Sequence, residues 1–162
     1  MYEGPRWRSL RGSIAQGDVV GSYSGSSHRG HGFLLSEDTF TNIDVSGTFN
    51  TNVYGINPRG EMVGFYADNS GTAHGFLLKG DTFTQINVPG ARETNVFGIK
   101  PRGDVVGLYV DSNSNLHGFL LRKGTLAIID VPGATLTAAS GINPQGDIVE
   151  SYDSSSGVMA FC

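Results

Sequence analysis

Apolar residues along this chain come in short bursts, separated by runs rich in Gly, Asn, Asp and Ser. In bursts such as Met62-Val63-Gly64-Phe65-Tyr66 and His74-Gly75-Phe76-Leu77-Leu78 both alternate faces are apolar, whereas Thr82–Val88 (TFTQINV) alternates in character. Short apolar runs bounded by turn residues predict strands buried on both faces, and alternation predicts a strand with one wet face. No stretch keeps a 3.6-residue apolar period long enough for a helix, so the chain is predicted to be all-β.

The bursts recur. HGFLL stands at His31–Leu35, His74–Leu78 and His117–Leu121, a step of 43 residues each time. The same step links Gly12, Gly55, Gly98 and Gly141; Gly17, Gly60, Gly103 and Gly146; and Tyr23, Tyr66, Tyr109 and Tyr152. Gly4, Gly47, Gly90 and Gly133 mark unit starts, giving 4–46, 47–89, 90–132 and a shorter 133–162 within a single domain, 1–162.

Each unit reads as four short strands. In the second they are Thr51–Ile56, Met62–Tyr66, His74–Leu78 and Thr82–Val88. Asn57-Pro58-Arg59-Gly60-Glu61 closes the first pair, with Pro fixing φ and Gly supplying the positive φ a hairpin needs. Ala67–Ala73 is a polar loop, Lys79-Gly80-Asp81 a turn, and Pro89-Gly90 the break before the next unit. Four strands per tandem unit of roughly 40–45 residues predict a β-propeller, with a β-solenoid of shorter repeats as the competitor. A single four-stranded sheet with two apolar faces cannot cover either alone, so blades must stack. Gly55, Gly98 and Gly141 in the first strands are expected nearest the axis, where crowding excludes a side chain.

The fourth unit stops at its third strand, so the last of about four blades is expected to be incomplete. Tyr2–Leu10, with Trp7, is the segment expected to fill the missing outer strand. A four-bladed ring with a three-stranded last blade, and a larger ring completed by a second copy or by further sequence, are the two alternatives.

Composition removes several classes. The 162 residues carry 24 Gly, 11 Lys+Arg against 15 Asp+Glu and a net charge of −4, which gives no polyelectrolyte signature for nucleic acid. No apolar run approaches the ~18 residues of a membrane helix. MYEGPRWRSL lacks the apolar segment of a signal peptide. A lone Cys162 forms no internal disulfide. Neither G-x-S-x-G, HExxH, CxxC, a P-loop nor G-x-G-x-x-G occurs, so no catalytic residue is assigned.

Candidate chemistry lies in the loops after the second strands. These bring Asp68, Asp111 and Asp153 to equivalent places, with Asn69, Asn113 and Asn115 nearby, beside Tyr23, Tyr66, Tyr109 and Tyr152. Aromatic faces next to polar donors and acceptors suit sugar stacking. Aromatics at a regular strand period are more often inter-blade core with a bonded hydroxyl, which is the competing reading of the same tyrosines. The Asp and Asn residues serve equally as Asx turns. The loops share the composition of calcium sites, yet none completes the D-x-D-x-D-G…E spacing, so no cofactor is assigned. His31, His74 and His117, one per unit, are too dispersed to share an ion and are expected to be structural, bonded to a neighbouring strand or loop; His28 could pair with His31 around a stray ion. Asp44, Asn87 and Asp130 are expected to brace the turn between units. Arg6, Trp7, Arg8 and Arg11 form a basic-aromatic cluster expected to be solvated or to lie over the open blade.

The stretch GINPRGEMVGFYADNSGTAHGFLLKGDTFTQINVPGA, with its His-Gly-Phe core at 31–33, 74–76 and 117–119, resembles the bacterial extracellular HAF-type repeat family. The likeness runs from Arg11 onward and departs from the pattern at Met159-Ala160-Phe161. It implies a secreted or surface-associated protein and carries no catalytic residue set. The function expected is therefore a non-catalytic binding or scaffold propeller, recognising carbohydrate or protein multivalently through loops on one face. The alternatives are a structural module completed by another copy of itself, and a hydrolase or metal-dependent enzyme with a site at the channel mouth.

Overall fold

The computed structural model of the protein describes residues 6–13, 17–24, 29–154 and 157–161, with side chains described for 17–24 and 29–153. His28, Cys162 and the segment 1–5 lie outside the described residues, as do the side chains of Arg6, Trp7, Arg8, Arg11, Met159, Ala160 and Phe161. The described residues form strands and no helix, in agreement with the all-β prediction.

The strands run as successive antiparallel meanders. The first is β1 (Arg6–Ser13), β2 (Val19–Ser24), β3 (Gly30–Ser36) and β4 (Thr39–Ile43); the second is β5 (Asn50–Ile56), β6 (Met62–Ala67), β7 (Ala73–Lys79) and β8 (Thr82–Ile86). The third is β9 (Glu93–Ile99), β10 (Val105–Val110), β11 (Leu116–Arg122) and β12 (Thr125–Ile129), and the fourth is β13 (Leu136–Ile142), β14 (Ile148–Ser154) and β15 (Gly157–Phe161). The expected strands of the second unit match to within two residues. β8 ends at Ile86 because Val88 leaves the ladder to donate its N–H to Thr94 Oγ1 at 3.1 Å.

Single parallel bridges, Gly30 to Asn50 and Leu116 to Leu136, join the meanders in pairs, so the hydrogen-bonded pattern is two mixed sheets and no closed barrel. The expectation for Tyr2–Leu10 needs correction. From Arg6 onward this segment is β1, paired to β2 with Trp7 opposite Tyr23, and so belongs to the first meander instead of filling the last.

The second meander buries both faces against its neighbours. One core gathers Val20 and Ile43 of the first meander with Val53, Met62, Phe76 and Leu78 of the second. Another gathers Val63 of the second with Val96, Val105, Tyr109 and Phe119 of the third. Stepping the first core by 43 residues, the interval between Asn57 and Lys100, reproduces most of the second. Burial falls from the first strands outward: β5 and β9 are largely buried, whereas β4 and β8 are mostly exposed.

Backbone approach explains two kinds of glycine. Gly60, at φ 73°, closes the β5–β6 turn with its N–H donated to the Asn57 carbonyl at 2.9 Å, as the turn pattern requires. Gly55 and Gly98 are hemmed in by the next meander: a Cβ at Gly55 would lie 3.1 Å from the Phe97 carbonyl oxygen, and one at Gly98 3.2 Å from the Gly141 Cα. A register shift beside Gly55 bulges the strand there, and the Tyr54 ring meets that of Phe97 at 5.2 Å across the joint.

A Cβ on Gly64 would stand 1.9 Å from the Asn52 carbonyl oxygen, whereas one on Gly141 meets nothing within 4 Å. Gly64→Ala is therefore expected to cost on the order of 3 kcal/mol in urea unfolding and Gly141→Ala below about 1 kcal/mol. Equal midpoints for the two variants would contradict this packing.

Candidate functional site

The loops after the second strands and the links between meanders emerge at the same end of the sheets. There the sequence builds the same cluster three times. Each second strand places a tyrosine directly opposite the histidine of the third: Tyr23 with His31, Tyr66 with His74, Tyr109 with His117. Cross-strand partners share a sheet face, so the rings pack together, with centroids 5.3, 5.3 and 5.0 Å apart.

The histidines are then tied to the fourth strand and to the loop. His31 Nδ1 lies 2.9 Å from Asp44, and His117 Nδ1 lies 2.9 Å from Asp130. In the second meander the acids give way to amides: Gln85 Nε2 and Asn87 Nδ2 approach His74 Nδ1 at 3.1 and 3.4 Å. Amide donors make that nitrogen an acceptor, so the ring proton sits on Nε2 and is donated to Asp68 at 3.0 Å. His117 instead stands between two carboxylates, with Asp111 3.5 Å from Nε2. Its pKa is raised, first by the hydrogen bond to Asp130, against the opposing effect of burial, and further by the charges of Asp130 and Asp111.

The loop carboxylates are Asx caps. Asp68 Oδ1 accepts from the Ser70 hydroxyl at 2.6 Å and from the Ser70 and Thr72 N–H groups at 2.8 and 3.0 Å. The Ser70 hydroxyl, then His74, hold this carboxyl well below the usual carboxylate range. Asp111 does the same with the Asn113 and Asn115 N–H groups, both at 2.8 Å, and the Asn115 side chain lowers its pKa most.

The structure thus brings Tyr66, Asp68 and His74 together, and Tyr109, Asp111 and His117. Tyr23 donates its hydroxyl to Asn42 at 2.9 Å. Tyr66 packs against one inter-meander core and Tyr109 lies within the other, and burial raises the pKa of both hydroxyls. Asn69 and Asn113 are exposed at loop tips. Tyr152 is half-buried on β14, and Asp153 contributes its backbone carbonyl, which accepts from the Thr135 N–H at 2.8 Å. Asp44 and Asp130 do not brace the turn between units, because their carboxylates go to histidine. The brace is a threonine from the next first strand: Thr51, Thr94 and Thr137 accept from the N–H groups of Val45, Val88 and Val131 at 3.0, 3.1 and 3.1 Å.

Between the first and second meanders at this end lies a cavity of about 190 Å³ lined by Arg29, His31, Asp44, Ser46, Thr48, Phe49 and Asn50, among others. Phe49 is 50% exposed there. Its equivalents one and two units on are Arg92 and Thr135, so the aromatic ring occurs at this joint and not at the next two.

The opposite end holds buried carboxylates that sequence reasoning missed. Glu61 receives Asn57 Nδ2 at 2.7 Å and Arg59 Nη2 at 2.6 Å, with Lys79 Nζ at 3.5 Å. Asp104 holds Lys100 Nζ at 2.8 Å and Arg122 Nε at 3.0 Å. Burial works to raise the Glu61 pKa, but the hydrogen bonds and charges of Arg59, Asn57 and Lys79 outweigh it and the net shift is downward. For Asp104 the Lys100 hydrogen bond comes first, and the net is again downward. The acidic residue after the turn glycine, in Gly-Asp, Gly-Glu, Gly-Asp and Gly-Asp at 17, 60, 103 and 146, was the available signal.

Among the described residues no group of three or more His, Cys, Asp or Glu could hold a metal ion, and no helix is long and apolar enough to cross a membrane. No protein-family model matches the chain, and none of the curated proteins matches it.

Two measurements check the electrostatics. Because the folded-state pKa of His117 is raised, its contribution to stability is full below its ordinary value near 6.5 and is lost as pH rises through the raised value; that of Asp111, whose pKa is lowered, is lost as pH falls. NMR titration is expected to place His117 above 6.5, and Asp130→Asn to bring it down. A His117 titration unmoved by Asp130→Asn would rule out the pairing. Glu61→Gln removes the buried charge that accepts from Asn57 and Arg59 and is expected to cost about 1–3 kcal/mol in denaturant unfolding.

Proposed function

We propose that the protein is a propeller-type array of four HAF-type blades, the last of them three-stranded, that acts without catalysis as a recognition module for extracellular carbohydrate. Four meanders stacked face on face, with burial greatest in the first strands and least in the fourth, support the blade arrangement. Close backbone contact along the first strands, at Gly55 and Gly98, supports their place nearest an axis.

The observation that carries the ligand class is the cavity at Phe49. A half-exposed aromatic ring there shares a cleft with Arg29, Ser46, Thr48, Asn50 and the His31–Asp44 pair. Sugars present apolar C–H faces to rings and a dense set of hydroxyls to such polar groups. The Tyr–His–Asp clusters on the same side extend the polar surface. Repeated weak contacts along it add avidity for a polymer. The tyrosines lie under the histidines, so the ring that stacks on a sugar is Phe49 and the clusters serve to fix the loop positions.

Calorimetric titration with a panel of polysaccharides and their oligosaccharides is expected to find millimolar or tighter binding to at least one of them. Phe49→Ala should weaken that binding about tenfold, roughly 1.4 kcal/mol, with the thermal unfolding midpoint unchanged. Absence of binding across the panel, or binding indifferent to Phe49→Ala, would reject the carbohydrate reading.

A further inference from the structure

One interface recurs through the molecule. The outward faces of the first three meanders carry a valine from the second strand, Val20, Val63 and Val106 in turn, each 0% exposed. Val20 and Val63 lie in the cores shared with the following meander, and Val106 lies beside Gly98, against which the Gly141 Cα of the fourth meander also packs. The first-strand glycine at the same joint, Gly55 or Gly98, is closed in by backbone of the meander that follows. At the fourth meander the same positions are open. Val149, which continues the valine series, is 45% exposed, and a Cβ on Gly141 would meet nothing within 4 Å.

The complementary half stands at the other end of the chain. At the first two joints the following meander contributes a leucine from its third strand: Leu78, buried to 4%, and Leu121, packed against the second core. Its counterpart in the first meander, Leu35, is 36% exposed, beside Phe33, which is covered by the Phe40 ring stacked 5.1 Å away.

We infer that the outward face of the fourth meander, around Val149 and Gly141, is an association surface whose partner is the Leu35 face of the first meander in a second copy of this chain. The contact continues the joint already repeated inside each molecule. It is head-to-tail: two different faces meet, so association either closes a ring or propagates. Two copies bring eight meanders together, which lies within the size range of closed propellers.

Light scattering over a concentration series is expected to show masses rising from 17.2 kDa to twice that value or a higher multiple. Gly141→Leu and Leu35→Asp each remove one half of the joint and are expected to hold the protein at 17.2 kDa, with its circular dichroism unchanged, since neither position is enclosed within its own chain. Mixing the two variants leaves one intact head and one intact tail, so the mixture is expected to regain a dimer that neither forms alone. Val149→Asp is a second block at the tail should Gly141→Leu fold poorly. A mass of 17.2 kDa at every concentration, or an assembly indifferent to these substitutions, would overturn the proposal. So would a mixture that stays monomeric.

Discussion

The structure depends on sheets that are oily on both sides. A meander such as β5–β8 sends Phe76 and Met62 to one neighbour and Val63 and Leu77 to the other, so it has no solvent face on which to stand alone. Burial at ~25 cal/mol per Å² of apolar surface makes this the dominant favourable contribution, and it accrues between meanders more than within them. Hydrogen-bonded ladders set the shape of each unit, while contact with the next unit stabilises it. Cooperativity along the array follows, in the manner of repeat proteins whose modules lean on nearest neighbours.

On that frame polar groups are sorted to the two ends. At one end Asp68 and Asp111 cap their own loops and hold the histidines, which in turn lie over the tyrosines. At the other, Glu61 and Asp104 sit in the first turns and draw cations from the third strands. Both arrangements satisfy carboxylates in place, and they leave the irregular joint at Phe49 as the part of the surface where shape and chemistry depart from repetition.

Much of this was written plainly in the residues. The 43-residue step, the turn glycines and the doubly apolar bursts gave the strand boundaries, because each depends on local chain geometry. What stayed hidden depends on partners from other strands. Thr51, Thr94 and Thr137 keep the step but look like ordinary strand residues until Val45, Val88 and Val131 present their N–H groups. Asp44 and Asp130 sit beside a turn in sequence and beside a histidine in space. Burial of Glu61 could not be read from a polar turn, since the atoms that enclose it include Lys79, contributed by β7. The placement of Arg6–Ser13 in β1 was obscured for the opposite reason: that stretch departs from the repeat, yet it takes the first-strand position by pairing with β2.

The backbone stitches at Gly30–Asn50 and Leu116–Leu136 fasten the meanders two by two, and among the described residues no such stitch spans the middle seam. That seam rests on side-chain packing around Val63, Val96 and Phe119, with hydrogen bonds that each use one side chain, from Asn57 Nδ2 to the Lys100 carbonyl and from the Val88 N–H to Thr94 Oγ1. Under a pulling load the molecule is thus built as two halves, and mechanical rupture starts where side chains, not a ladder of peptide groups, carry the strain.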